Sequence, residues 1–201
     1  MIEAVVWDIG NVLARWDPEG YYDRRLGAEG RAAFFAETGI EAVNLEVDRG
    51  APARETFYAH AEEHPRWAEE IRLWIDDWAE MFRAPVPGAA ELFAEVKATG
   101  LRVLALSNFG AETFEIAKGL HPVLTEFDET YVSAHLKLIK PDPAIYAALE
   151  RGSGLSGAAL IFADDKPENV AAAEARGWKG HLYEGAAGWR ARLVAEGVLS
   201  A

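Results

Sequence analysis

Polar side chains follow three apolar runs of the chain, at the points where buried strands would end. Asp8 follows the first run, Ser107 and Asn108 follow the second, and the pair Asp164 and Asp165 follows the third. Ligands bind at the carboxyl edge of an open parallel sheet, so we expect these side chains to meet at one site. A carboxylate, a hydroxyl with an amide, and an acidic pair together suit chemistry on a phosphate group.

Each group has a task in that chemistry. Asp8 can attack phosphorus to give an aspartyl-phosphate, which splits one hard displacement into two. Ser107 and Asn108 can hold phosphate oxygens, although either could instead cap the following helix. Lys140, in Lys-Pro-Asp-Pro, can neutralise charge on the transferring group and on the attacking carboxylate. This context favours Lys140 over Lys137.

The adjacent carboxylates of Asp164 and Asp165 predict a bound cation. Two neighbouring carboxylates repel each other unless a positive charge lies beside them. Mg²⁺ prefers hard oxygen ligands, so it fits Asp8, one Asp of the pair and a backbone carbonyl. Asp165 is favoured as the direct ligand, and Asp164 as its neighbour or second ligand. The competing interpretation is a helix cap formed by Asp165 with Glu168.

The elements that must position these residues alternate between helix and strand, which predicts an α/β fold with a parallel sheet. Residues 18–84 differ, because they show helical spacing and no convincing strand. We therefore expect a helical domain over 18–84 inserted into a core domain formed by 1–17 and 85–201. The predicted strands are 2–8, 101–107, 131–133, 159–163 and 181–183, and the predicted helices are 28–37, 52–64, 66–82, 89–99, 111–119, 141–151, 167–176 and 187–196.

Composition excludes several partners and chemistries. The net charge of −13 argues against nucleic acid or an anionic membrane as a general partner. The absence of cysteine rules out disulfides and thiolate catalysis. No apolar run approaches the roughly 20 residues that cross a bilayer, and no secretory leader is evident. A cytoplasmic protein is the expectation.

In this order and spacing, the motifs resemble those of the haloacid dehalogenase superfamily, most of whose members are Mg²⁺-dependent phosphatases. The matching segments are Val-Val-Trp-Asp-Ile-Gly-Asn-Val-Leu, Leu-Ser-Asn, Ile-Lys-Pro-Asp-Pro and Phe-Ala-Asp-Asp-Lys-Pro-Glu-Asn. The resemblance implies a Rossmann-like core with a helical cap over 18–84, and Mg²⁺ as cofactor. It also implies site residues: Asp8 and Lys140 as catalytic groups, Ser107, Asn108 and Lys140 as substrate contacts, and Asp8, Gly10, Asp164 and Asp165 around the metal.

Gly10 departs from the family pattern. Most phosphatases of the family carry an Asp there, which protonates the leaving oxygen and later activates water. The backbone carbonyl of Gly10 can still face a metal, but the acid is missing. The sequence Asp-x-Gly-Asn resembles a subgroup that includes sugar-1-phosphate phosphatases, whose leaving oxygen is activated. We therefore expect small phosphorylated metabolites, such as sugar 1-phosphates, as substrates. Asp17, a cap histidine or a bound water could replace the acid.

Two alternatives stay open at this point. A 2-haloacid dehalogenase would use the same Asp nucleophile without metal. Without a metal, however, the Asp164 and Asp165 carboxylates would repel an anionic substrate. A catalytically silent binding protein is the other alternative, and Gly10 is the only feature of the sequence that favours it. Substrate contacts and oligomeric state are not specified by the sequence. The candidate substrate contacts in and next to the insert are Arg15, Trp16, Tyr21, Tyr22, His60 and His64.

Overall fold

In the computed structural model, which describes residues 1–200, a five-stranded parallel sheet lies at the centre of the chain. Its strands are β1 (Ala4–Trp7), β2 (Arg102–Ser107), β3 (Glu129–Val132), β4 (Leu160–Asp164) and β5 (Lys179–Leu182). Their spatial order is β3-β2-β1-β4-β5, so β1 lies between β2 and β4. Every residue of β1 is buried, which explains why its sequence is a continuous apolar run rather than an alternating one. The predicted α/β class is confirmed.

Residues 18–84 follow β1 in the chain and form a run of helices before the next strand begins. We call residues 18–84 the helical insert. The predicted helix 66–82 is wrong as a single element, because the backbone leaves the helical conformation at Trp67 and Asp77. The helix after Gly39, a residue with a left-handed φ of 61°, was not predicted. The helices are α1 (Pro18–Thr38), α2 (Ile40–Asp48), α3 (Ala53–Glu63), α4 (Ala68–Asp76) and α5 (Trp78–Met81), with a 3-10 turn at Pro65–Trp67.

The core helices alternate with the strands as predicted, but one helix start and one proposed helix cap differ. The helix predicted to begin at Pro141 begins after Asp142, whose carboxylate accepts a hydrogen bond of 2.8 Å from the N–H of Ala144. Lys166, and not Asp165, precedes the first residue of the next helix. Asp165 is therefore not a helix cap. The core helices are α6 (Ala89–Ala98), α7 (Ala111–Leu120), α8 (Ser133–Leu136), α9 (Pro143–Ser153), α10 (Pro167–Glu174) and α11 (Ala186–Ala195).

An aromatic cluster joins the insert to the carboxyl edge of the sheet. Trp16 stacks on Trp78 with ring centroids 5.6 Å apart. Phe109, just beyond β2, lies edge-on to Trp78 at 5.6 Å and to Phe82 at 5.3 Å. Such pairs bury large apolar areas and prefer tilted or offset geometry, so they fix the insert over the strand ends.

Among residues 1–200, no helix combines the length and the apolar character that crossing a bilayer requires.

Candidate active site

Three neighbouring strands end in polar groups that meet at the carboxyl edge of the sheet. Asp8 follows β1, Ser107 ends β2 and Asp164 ends β4. The hydroxyl of Ser107 donates to Oδ1 of Asp8 at 2.7 Å. Lys140 places its Nζ 2.8 Å from the same Asp8 oxygen and 2.6 Å from Oδ2 of Asp164. Side chains that are far apart in sequence thus form one contiguous charged group.

Lys140 is a buried cation that the backbone holds in place. It is only 3% exposed, and Asn108 clamps its main chain in both directions. The amide of Asn108 donates to the carbonyl of Lys140 at 3.0 Å, and its Oδ1 accepts from the N–H of Lys140 at 2.8 Å. Burial lowers the pKa of Lys140, but the carboxylates of Asp8 and Asp164 raise it above its ordinary value. The ammonium therefore stays charged.

Asp164 is saturated by hydrogen-bond donors. Its Oδ2 accepts from Lys140, its Oδ1 accepts from the N–H of Lys166 at 2.9 Å, and Asn169 lies 3.0 and 3.1 Å from the two oxygens. The carboxylate is fully buried. In this arrangement Asp164 fixes the position of the Lys140 ammonium.

Asp8, Asp164 and Asp165 bring carboxylate oxygens within 4.8 Å of one another. Asp165 is oriented by Asn11, whose amide donates to its Oδ2 at 3.0 Å. Within residues 1–200, Oδ2 of Asp8 and Oδ1 of Asp165 carry no hydrogen bond. Burial raises the pKa of Asp8 to about 6, although Lys140 lowers it, and Asp164 raises it further. One ammonium among three carboxylates leaves an excess of negative charge with two open oxygens, and a hard divalent cation fits that donor set.

A cavity of about 240 Å³ lies between these groups and the helical insert. Asp8, Lys140 and Asp165 line its floor, together with Ser107 and Asn108. Its other walls are largely aromatic. They include Trp16, Trp74, Trp78, Phe82 and Phe109, with Asn44 and Asp48 of α2 as polar members.

Of the six candidate contacts, Trp16 lines this cavity and the other five do not. Tyr21 and Tyr22 are buried, and the hydroxyl of Tyr22 donates to the carbonyl of Glu70 at 2.7 Å. His60 and His64 lie on α3 with ring centroids 4.3 Å apart. Asp48 was not among the candidates, because it follows no strand and ends a helix that the sequence did not predict.

The family model for haloacid dehalogenase-like hydrolases matches residues 2–177. This chain is a haloacid dehalogenase-like hydrolase. The site at the carboxyl edge of the sheet lies entirely within the matched residues, so the family match includes every residue of the charged cluster. The resemblance drawn from the motifs is confirmed at the level of the superfamily.

Relatives of this hydrolase include a phosphatase. The sesquiterpene phosphatase astK of Aspergillus oryzae (strain ATCC 42149 / RIB 40) is 28% identical over 189 residues, which are 90% of each chain. The HAD family enzyme bt-2542 of Bacteroides thetaiotaomicron superposes with a TM-score of 0.77 at 19% identity, over 96% of this chain and 98% of that one. The L-2-haloacid dehalogenase of Xanthobacter autotrophicus superposes with a TM-score of 0.62 at 21% identity, over 89% and 76%. These two structural likenesses show the fold alone.

Proposed function

We propose that this hydrolase is a Mg²⁺-dependent phosphatase of small phosphorylated metabolites, with Asp8 as the nucleophile. The observation that carries the proposal is the state of the Asp8 carboxylate. Oδ1 is held by Ser107 and Lys140, whereas Oδ2 carries no hydrogen bond within residues 1–200, and the residue lines the cavity. Ser107 and Lys140 thus anchor the carboxylate at the cavity, where it can attack phosphorus, and its second oxygen is free to bind a cation.

The donor set supports magnesium at this site. We infer that Asp8, Asp165 and the backbone carbonyl of Gly10 hold the ion, and that Asp164 acts beside them through Lys140. When bound, Mg²⁺ neutralises charge so that a carboxylate and a phosphate can approach each other. A crystal structure of bt-2542, 21% identical to this chain, contains magnesium and inorganic phosphate.

The protein's own residues account for the displacement. The Asp8 carboxylate attacks phosphorus, the bond from phosphorus to the leaving oxygen breaks, and an aspartyl-phosphate forms. Lys140 stabilises negative charge on the phosphoryl oxygens, and Ser107 and Asn108 supply further donors. Water then attacks phosphorus, which releases inorganic phosphate and restores Asp8. The insert acts as the cap domain over 18–84, which covers the site on the core of 1–17 and 85–201 and excludes bulk water.

Two substrate classes follow from different observations. Gly10 favours an activated leaving oxygen, as in a sugar 1-phosphate, because the usual acid is absent. The aromatic walls formed by Trp16, Trp74 and Trp78 favour a leaving group with a large apolar face. The relative astK, whose name makes it a sesquiterpene phosphatase, points to terpenoid alcohol phosphates as the second class.

The test is phosphate release from a panel of sugar 1-phosphates, terpenoid phosphates and simple alkyl phosphates, with and without Mg²⁺. We expect Mg²⁺-dependent turnover that disappears in Asp8→Asn and persists in Asp76→Asn, which alters an exposed carboxylate outside the cavity. Halide release from 2-haloacids in the presence of a chelator, without phosphate release from any ester, would instead identify a dehalogenase.

A further inference from the structure

The site lacks a group that can give a proton to the leaving oxygen. Gly10 has no side chain, and Lys140 is held between two carboxylates. Asp48, the last residue of α2, lines the same cavity as Asp8 and belongs to the insert. We propose that Asp48 is the general acid and base of the reaction, supplied across the cavity by the insert in place of the missing side chain at position 10. The proposal rests on the proposed phosphatase function.

Close contact between the insert and the core holds Asp48 in place. The backbone N–H of Gly110, in the loop after β2, helps to lower the pKa of the Asp48 carboxylate. A Cβ atom on Gly110 would lie 2.6 Å from Cγ1 of Val47, so only glycine allows this approach. On the other side, a Cβ atom on Gly50 would lie 2.9 Å from the carbonyl oxygen of Ala134. The end of α2, which carries Asp48, is therefore packed closely against the loop that follows Ser107.

Asn44 connects Asp48 to the aromatic wall. Its Nδ2 donates to Oδ2 of Asp48 at 3.2 Å, and its Oδ1 accepts from Nε1 of Trp74 at 3.0 Å. The orientation of the carboxylate is thus linked to the ring that lines the leaving-group side of the cavity.

The electrostatic surroundings suit proton transfer. Burial raises the pKa of Asp48 to about 7, while Lys166, the N–H of Gly110 and Lys140 lower it. Among the charged groups that line the cavity, Asp8 and Asp165 face it from the core, and Glu41 lies on its own helix. A carboxyl group that titrates near neutral pH can both donate and accept a proton during turnover.

The proposed steps balance. In the first, Asp8 forms a bond to phosphorus, the bond to the leaving oxygen breaks, and the proton of Asp48 moves to that oxygen. In the second, the Asp48 carboxylate accepts a proton from water, and the water oxygen bonds to phosphorus. The bond from phosphorus to Asp8 then breaks. Inorganic phosphate leaves, and Asp48 is again protonated.

The structure also allows a simpler role, in which Asp48 only ties the insert to the core. Asp48→Asn separates the two roles, because its side-chain carbonyl can still accept from Asn44 but cannot transfer a proton. We expect kcat/KM for an alkyl phosphate to fall about 10²–10⁴-fold. With p-nitrophenyl phosphate, whose leaving group needs no acid, we expect a rapid burst of p-nitrophenol followed by slow turnover of the aspartyl-phosphate. Glu46→Gln, on the exposed side of the same helix, is the matched control and should resemble the wild type.

A substitution at position 10 should restore activity to Asp48→Asn if Asp48 transfers a proton, but not if Asp48 only ties the insert to the core. A Cβ atom on Gly10 meets no atom within 4 Å, so the site accepts a side chain there. Adding Gly10→Asp to Asp48→Asn should restore alkyl-phosphate hydrolysis at least about tenfold, within the range that one acid supplies. An equal loss for both leaving groups in Asp48→Asn, without a burst and without rescue, would overturn the proposal in favour of a tether. If the wild type releases no phosphate from any ester, the proposed function itself fails, which is a separate result.

Discussion

The core edge and the insert wall of the cavity are built from different interactions. At the core edge, Lys140, Asp8 and Asp164 hold one another through several short contacts, and Asn108 fixes the main chain of Lys140. The insert wall combines the rings of Trp74, Trp78 and Phe82 with the polar side chains Glu41, Asn44 and Asp48 of α2. From this difference we propose that the core supplies the nucleophile and the charge stabilisation, and that the insert selects the leaving group and transfers the proton.

Removing the central cation should have the largest effect. Lys140→Met leaves the buried carboxylates of Asp8 and Asp164 without their shared partner. We expect phosphate release to fall at least about 10³-fold. Unfolding should become easier by about 3–5 kcal/mol, as for other broken buried ion pairs. Activity assays and urea unfolding measure the two losses.

The double variant Lys140→Met with Asp164→Asn is the control for this prediction. It removes one of the two uncompensated charges, so stability should recover in part while activity stays low. Recovery of both, or of neither, would break the view that the core edge is an interdependent charge network.

The residues at the core edge could be predicted because parallel strands end at one edge of a sheet. A continuous apolar run before Asp8, Ser107 and Asp164 was enough to place all three together. The helical insert was harder. Aromatic residues recur at helical spacing through 66–82 although the backbone breaks at Trp67, since the ring pattern reflects a shared cluster and not one helix. Spacing reports which side chains are buried, not where a helix is interrupted.

Contacts between separate segments of the chain could not be predicted from the sequence. Nothing in the residue types indicates that Asn108 binds the main chain of Lys140, because such a bond depends on how two loops fold towards each other. Asp48 was missed for a similar reason. It lies on a short helix of the insert and reaches the cavity only because Gly110 permits a close approach.

Magnesium dependence tests the charge balance of the core edge. We expect chelation to abolish phosphate release. At a concentration 100 times its Kd, Mg²⁺ should stabilise the fold by about 2.7 kcal/mol. Asp165→Asn should reduce this stabilisation strongly, because it removes one of the two open oxygens. Thermal unfolding with and without Mg²⁺ measures it, and Asp76→Asn is the matched control. An unchanged Mg²⁺ response in Asp165→Asn would place the ion elsewhere.

The aromatic wall should act on substrate selection more than on chemistry. Trp16→Leu removes a ring that lines the cavity and stacks on Trp78. For esters with large apolar leaving groups, we expect KM to rise about tenfold, since a lost aromatic contact costs roughly 1 kcal/mol beyond its buried area. For acetyl phosphate the increase should be smaller. Steady-state kinetics on both substrates decide the matter, and an equal change in kcat for both would contradict this division of roles.

At alkaline pH, the ionised carboxylate of Asp48 should lower the stability of the folded protein. Burial raises its pKa to about 7 in the folded protein, well above its ordinary value of 3.8. Its contribution is therefore fully present below pH 4 and is lost as the pH rises towards 7. We expect Asp48→Asn to raise Tm at pH 8 by about 2–4 °C relative to its effect at pH 4, a shift that roughly 1 kcal/mol produces in a chain of this size. An identical change in Tm at both pH values would refute the raised pKa.

The smallest effect is expected at Glu150 on α9, a carboxylate of the core that lies away from the cavity. Nε1 of Trp178 donates to it at 2.8 Å, and Arg176 pairs with it. Burial raises the pKa of Glu150, but Arg176 and Trp178 lower it more, so it lies below its ordinary value. The stabilisation is thus present at neutral pH and is lost as the pH falls through that lowered pKa.

Glu150→Gln should therefore cost about 1 kcal/mol at pH 7 and less at pH 3, with Mg²⁺-dependent phosphate release unchanged. Urea unfolding at the two pH values measures the difference, and Glu46→Gln is the matched control. If Glu150→Gln lowered activity as strongly as the cavity variants do, the core could not be divided into a catalytic edge and a separate structural body. A stability cost without a loss of turnover would instead confine the chemistry to the strand ends and the facing insert.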